Sequence, residues 1–378
     1  MRSTSFFTVL ATYTTTCFSK YILTDDLSHT NFFANFDLFS DADPTNGFVA
    51  YQNMTSAIEN EYIGYLNDSV FLGVDYENMT PSGRPSIRAE SKKTWNHGLL
   101  VADLKHMPDS TCGVWPAFWA LGTGAPWPQS GEIDILEGVN DADHNAVTLH
   151  TTAGCVVDNS TSGAMGAADE PLFSGTLATA DCDVAAANQD KNQGCSIRAP
   201  PGAASLPTYG DGFNSAGGGV YAMEWTRTSI SVWVFPRNTA AFRQHFSASS
   251  SSFSEHNASA PDPRAWGTPL ARFSGRGCDL EARFRDLRVV FNTAFCGEWA
   301  GRQEVWDAGC REKTGVATCE DWVRNHPEAF VGAYWEIAGL WWFETRRRGD
   351  LVLFLVDFAL GLHPFYLEIT PSIVSFVL

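Results

Sequence analysis

An all-β sandwich is the fold class this sequence predicts, and three observations carry the expectation. Helical periodicity is scarce over the 378 residues. Short runs rich in Val, Ile, Phe and Trp recur between clusters of Gly, Pro, Asn and Asp, which is the punctuation of strands and turns. Hydrophobic residues make up 44% and charged residues only 18%, so a large core can form and general disorder is excluded.

In chain order, strands are expected at residues 69–74, 99–104, 146–151, 221–226, 229–235 and 287–291, each a run of apolar and β-forming side chains closed by turn formers. Residues 153–219 read instead as loop, rich in Ala, Gly, Asp and Asn, with Cys155, Cys182 and Cys195 available to tie them down. An irregular stretch of that length is unusual in a compact domain unless it is stapled or serves a binding site. Residues 247–254 are Ser-rich and expected on the surface. No internal repeat and no linker divides residues 20–342, which are expected to form a single domain.

The ends of the chain differ from its middle. Arg2, a short apolar stretch from Phe6 to Ala11, and Cys17-Phe18-Ser19 with small residues two apart suit a secretory signal over residues 1–19; a first core strand is the other use of Phe-Phe-Thr-Val-Leu. Of nine cysteines, Cys17 falls in that segment, and the remaining eight suit four disulfides in an oxidising compartment. No C-x-x-C pair points to zinc. Sequons at Asn53, Asn67, Asn78, Asn159 and Asn257 are the expected glycosylation sites of a secreted chain. Residues 343–378 follow Arg346-Arg347-Arg348 with an apolar tail broken by Asp357, His363, Pro364 and Glu368. That is not a clean membrane span, and a lipid-anchor signal is a weak match because no convincing cleavage triplet and polar spacer precede it. Lys and Arg total 25 against 43 Asp and Glu, a formal charge of −18, so a phosphate backbone would be repelled and nucleic acid is excluded as a partner.

The most informative stretch is Gly131-Glu132-Ile133-Asp134-Ile135-Leu136-Glu137-Gly138. Side chains alternate along a strand, so Glu132 and Asp134 share one face while Ile133 and Ile135 take the other, and Glu137 is out of phase. One residue absorbed by a β-bulge near Ile135 and Leu136 would return Glu137 to the acidic face. Three crowded acids would repel one another and raise at least one pKa, as a general acid working near neutral pH requires. Glycoside hydrolysis with retention uses two carboxyls about 5 to 5.5 Å apart, one as nucleophile and one as acid and then base. An exposed acidic edge strand, or a calcium site made of the same oxygens, would show the same spacing.

The 13 Trp and 26 Phe fit either a dense β core or stacking on sugar rings, and composition does not choose between these uses. Trp115, Trp119 and Trp127 lie just upstream of the acids, and Trp299 sits in Phe295-Cys296-Gly297-Glu298-Trp299-Ala300-Gly301. All four suit a groove lined for pyranose faces. His150, in Thr148-Leu149-His150-Thr151, is the expected contribution of the next strand, where it could hydrogen-bond an acid and hold its orientation. A satisfied core histidine is the other reading of that position.

At these residues the chain resembles glycoside hydrolase family 16, in its fungal laminarinase-like or mixed-linkage endo-β-1,3(4)-glucanase branch. The resemblance runs from about Tyr21 to Leu340. It includes Asn31-Phe32-Phe33, Asp43-Pro44-Thr45-Asn46-Gly47-Phe48-Val49, Trp115-Pro116-Ala117-Phe118-Trp119, the acidic strand and Leu149-His150-Thr151. It continues through Tyr221-Ala222-Met223-Glu224-Trp225, Val232-Trp233-Val234-Phe235-Pro236-Arg237, the Trp299 segment and Tyr334-Trp335-Glu336-Ile337.

This resemblance implies a concanavalin-like β-jelly-roll with a concave cleft, and a secreted monomer that hydrolyses β-glucan with retention. No cofactor, metal or membrane partner is expected. By matching positions Glu132 would be the nucleophile, Glu137 the acid/base and Asp134 the residue that tunes the nucleophile. His150 would stand beside the acid/base, and Trp119, Trp127 and Trp299 at sugar subsites. The family usually ends soon after the final strand, so residues 343–378 look foreign, as in a gene-model read-through. A cell-wall transglycosylase on the same scaffold and a glucan-binding protein with a dead site are the competing expectations. Retention of Glu132, Asp134 and Glu137 together argues against the latter.

Overall fold

A computed structural model describes residues 21–157, 172–201, 206–246 and 261–345. The expected signal, the sequons at Asn159 and Asn257, the Ser-rich 247–254 stretch and everything beyond Thr345 lie outside the described residues. Two eight-stranded antiparallel sheets stack as a jelly-roll sandwich. The first runs in the order Ala271–Ser274, Ser229–Pro236, Gly219–Trp225, Gly98–His106, Trp335–Thr345, Ser69–Leu72 and Ile63–Leu66, with Tyr21–Asp26 also paired to Trp335–Thr345. The second runs Thr176–Thr179, Cys195–Arg198, Ala146–His150, Glu132–Glu137, Val114–Gly122, Leu287–Phe295, Arg88–Ser91 and Phe36–Leu38.

Alternation explains the packing. Leu100, Ala102 and Leu104 point between the sheets and meet Ile133, Ile135, Leu136, Val289 and Phe291 in the main core. The other face of the first sheet is apolar as well. Leu99, Val101, Val220, Ala222, Trp233, Phe235, Trp341 and Phe343 form a second cluster, roofed by Phe242, Phe246 and Trp266. Strands covered on both faces need no polar alternation, so 99–104 and 229–235 read as nearly continuous apolar runs.

Two expectations change, and one segment without a reading takes shape. Residues 153–219 are not all loop: they supply the edge strands Thr176–Thr179 and Cys195–Arg198. These four-residue strands are too short and too mixed in polarity to show a pattern. Residues 297–330 fold into short helices, Gly297–Ala300, Gln303–Asp307, Cys310–Thr314 and Cys319–Asn325, then a 3-10 turn at Pro327–Phe330. Helices of four to seven residues carry little periodicity, and this group is held by the cluster of Val114, Phe295, Trp306, Val323 and Phe330 together with two disulfides. The final strand passes the expected domain end at residue 342, because Phe343 is buried opposite Leu23 and Leu99 and pairing continues to Thr345.

All eight cysteines outside the expected signal are paired, as Cys112–Cys310, Cys155–Cys278, Cys182–Cys195 and Cys296–Cys319. The stapling expected for the 153–219 stretch is thus present: Cys182–Cys195 closes one of its loops and Cys155–Cys278 fastens its start to a distant segment. Of the described sequons, Asn53, Asn67 and Asn78 are exposed. Asn53 caps the helix Met54–Glu59 through its side-chain oxygen, and the Asn78 side-chain amide donates to Asp75 at 3.0 Å.

Candidate active site

The acidic strand Glu132–Glu137 lies in the middle of the second sheet, between Ala146–His150 and Val114–Gly122. Against the latter its register runs Glu132 with Leu121, Ile133 with Ala120 and Asp134 with Trp119, then jumps to Leu136 with Phe118 and Glu137 with Ala117. Ile135 is the extra residue of a bulge. Ile133, Ile135 and Leu136 are all fully buried, while Leu121, Trp119 and Ala117 share one face at period two. Their partners Glu132, Asp134 and Glu137 therefore share the outer face as well. Without the bulge, Glu137 would point into the core.

His150 comes from the neighbouring strand, directly opposite Glu132. Its Nε2 lies 3.1 Å from Asp134 Oδ2 and 3.9 Å from Glu132 Oε1. The resemblance placed this ring beside Glu137; the register pairs it with Glu132 and its Nε2 reaches Asp134, at the other end of the triad. Glu132, Asp134 and His150 each bring one donor atom within 4.8 Å of the others, the one grouping among the described residues able to hold a metal ion.

The indoles hold the acids rather than merely flanking them. Trp127, 44% exposed, donates from Nε1 to Glu132 Oε2 at 2.9 Å. Trp115 donates from Nε1 to Glu137 Oε1 at 2.9 Å and meets Trp299 edge to face at 5.7 Å. Trp115 was expected as a stacking platform, yet its N–H is committed to a carboxyl and its ring edge to another indole. Trp299 rides on the short helix after Cys296. Trp119 faces outward beside Asp134, donates to Asn292 Oδ1 at 2.7 Å and carries the Arg88 guanidinium 4.9 Å from its ring centre. Asn292 in turn donates to the Tyr51 hydroxyl at 3.1 Å. Asn292 and Arg88 escaped the sequence reading, although a lone Asn in the apolar run Phe291-Asn292-Thr293 was a usable signal.

Crowding shows in the protonation of the three acids. Burial, and then the charge of Asp134, pushes Glu132 up to about 8; the His150 charge and the Trp127 N–H pull it the other way. Burial pushes Asp134 up to about 8. Burial, then Asp134, pushes Glu137 up to about 8, against the Trp115 N–H and a lesser pull from His150. Three such groups in contact titrate as a unit and do not ionise together in the neutral range. The chemistry available is a carboxylate and a carboxylic acid side by side, each held by an indole donor.

A family model described as an XgeA-like, catalytic GH16 domain matches residues 36–343. An endo-1,3(4)-beta-glucanase of Arthroderma benhamiae is 42% identical over 320 residues, covering 84% of this chain and 64% of the relative. The chain thus spans less than two thirds of that protein. A probable glycosidase of Schizosaccharomyces pombe is 37% identical, with 85% and 68% covered. Among solved structures, Laminarinase 16A from Phanerochaete chrysosporium, bound to 6-O-glucosyl-laminaritriose, superposes with a TM-score of 0.74 at 35% identity. That match covers 86% of this chain and 100% of the other. An elongating GH family 16 β-1,3-glucosyltransferase gives 0.71 at 38% identity with the same coverage. The span matched by the family model takes in both sheets but for the first strand and the end of the last, with the bulged acidic strand and the indoles around it, and by that match the chain belongs to glycoside hydrolase family 16.

Proposed function

We propose that the protein is a secreted, retaining endo-β-1,3(4)-glucanase acting on laminarin-like or mixed-linkage β-glucan. The observation that carries this reading is the bulged strand, which sets Glu132 and Glu137 on one face with Asp134 between them and a different indole N–H on each. Glu132 is the nucleophile. Its charged form is helped by the nearby His150 and by the Trp127 N–H. Glu137 is the acid and then the base, and its raised pKa keeps a proton available at neutral pH. Asp134, between them and against His150, disfavours a second charge and so keeps the two roles apart. His150 is a positioning residue for Asp134 and Glu132.

In the first step Glu137 protonates the glycosidic oxygen while Glu132 attacks the anomeric carbon, giving a glycosyl ester and the released chain. In the second, Glu137 takes a proton from water, which attacks the same carbon and frees Glu132. Trp119, Trp127 and Trp299 offer ring faces or edges along the same surface for the neighbouring sugars. Four disulfides support an oxidising, extracellular setting.

Transglycosylation is a second reading favoured by one finding, the likeness to an elongating glucosyltransferase. It differs only in the acceptor of the second step. The test uses Glu132→Ala and Glu137→Ala. The first variant should lose hydrolysis of every glucan. The second should react poorly with natural glucan yet still be glycosylated by a substrate with an activated aryl leaving group. Azide should then release a β-glycosyl azide. An α-azide would refute retention, and equal damage to both substrate types would undo the assignment of Glu137. Products longer than the starting oligosaccharide in the unmodified enzyme would favour the transglycosylase.

A further inference from the structure

Pairing of the acidic strand with Ala146–His150 stops at Asp134 and Thr148, where the bulge begins, so the Ile135 carbonyl and the Glu137 N–H beyond it have no partner in that ladder. Main-chain groups left so must find another partner, and Ile135 is fully buried. One side chain takes both: Asn145 Oδ1 accepts from the Glu137 N–H at 2.8 Å, and Asn145 Nδ2 donates to the Ile135 carbonyl at 2.8 Å. The orientation of the carboxamide is set by these partners, since a carbonyl only accepts and an N–H only donates. Asn145 is wholly buried and lies one residue before the strand Ala146–His150 begins. Its side chain therefore stands in for a peptide group, extending the ladder past the point where backbone pairing ends.

The clasp is itself held in place. The Asn145 amide donates to Thr208 Oγ1 at 3.0 Å, and the Asn145 carbonyl accepts from Ala199 N at 2.9 Å. The Thr208 carbonyl accepts from the Tyr221 hydroxyl, which belongs to the opposite sheet. The acid strand is thus tied through Asn145 and Thr208 to the far layer of the sandwich. Glu132 needs none of this: it lies before the bulge, paired with His150 on one side and Leu121 on the other.

Resting on the glycosidase reading above, we propose that Asn145 is a positioning residue for the acid/base, and that its carboxamide sets where the Glu137 carboxyl points by holding the bulge. No other side chain does this in one piece. Asp lacks the donor at neutral pH, Ser and Ala cannot span both groups, and Gln carries its amide one carbon further out.

The test measures Asn145→Ala and Asn145→Asp in the full chain. Both should lower kcat on laminarin by roughly 100-fold, the scale of a misplacement near 1 Å. Single-turnover glycosylation by a dinitrophenyl β-laminaribioside should fall less than about threefold, because that leaving group needs no acid. In Asn145→Asp the laminarin rate should recover as pH falls, since the protonated carboxyl regains a donor for Ile135. Hydrogen exchange at the Glu137 amide should quicken in Asn145→Ala, a readout that does not depend on turnover. Equal losses on both substrates with no recovery at low pH would overturn the proposal, as would wild-type laminarin rates in either variant. If Asn145→Ala fails to fold, the isosteric Asn145→Asp carries the same comparison. A wild-type enzyme that cleaves no β-glucan, with Glu137 exchange still quickened in Asn145→Ala, would show the clasp real and the glycosidase reading at fault. The assigned role in acid catalysis would then fall with that reading.

Discussion

The two indole donors make separate predictions about pH, one for each limb of the profile. An N–H donated to a carboxylate stabilises the charged form, so its removal raises the carboxyl pKa. Trp115→Phe takes the donor from Glu137, which must be protonated to act, so the basic limb of kcat/KM should move up by roughly one pH unit. Trp127→Phe takes it from Glu132, which must be ionised, so the acidic limb should move up by about as much. Titrating kcat/KM of both variants checks this, and exchanged limbs would mean that the two glutamates have exchanged roles. How far the site could be read from sequence follows from the same residues. Glu132, Asp134 and Glu137 were legible because acids are rare between isoleucines on a buried strand. The donation of Trp115 to Glu137, and the seat of His150 against Asp134, were not. They depend on which strands pair and where pairing stops, and neither is encoded locally.

At the scale of elements, every run read as a strand falls on one, but the other sheet strands and the connections were not legible. A run such as Ser-Ile-Ser-Val-Trp-Val-Phe announces a strand by itself, whereas the helices at 297–325 are too short to show a period and are placed by distant partners, the cluster around Trp306 and Val323 and the pairs Cys112–Cys310 and Cys296–Cys319. The latter closes a loop of 23 residues of separation, worth about 3 kcal/mol in the chain-entropy model. Its removal by paired Cys296→Ser and Cys319→Ser should cost about that much in denaturant unfolding. Because Trp299 rides on the freed segment, KM for laminarin should rise by more than kcat falls. The last strand yields a second prediction. A chain ended after Thr345 should keep its melting temperature and activity. One ended after Trp342 loses the buried Phe343 and the partners of Tyr21–Leu23, and should melt about 5 °C lower or more. Calorimetry of the two truncations decides it.

For the whole molecule, the acidic cluster is a cost carried by the sandwich. A carboxyl whose pKa is about 8 folded and near 4 unfolded binds more protons in the folded state across that interval. Stability from this source is complete below about pH 4 and is lost as pH rises toward 8. Asp134→Asn mimics the protonated side chain at every pH. It should therefore melt several degrees above the wild type at pH 8, converge with it below about pH 4, and lose most glucanase activity. Melting curves across that range test the sign. The pairing of the cysteines has a different consequence. Cys112 and Cys310 are 198 residues apart in sequence, so any single cut of the main chain between them leaves two fragments still covalently joined. A protease nick in an outer loop anywhere in that interval would go unseen on a non-reducing gel and release no part of the catalytic face. Only the combination of a cut and a reductant would let the two pieces separate.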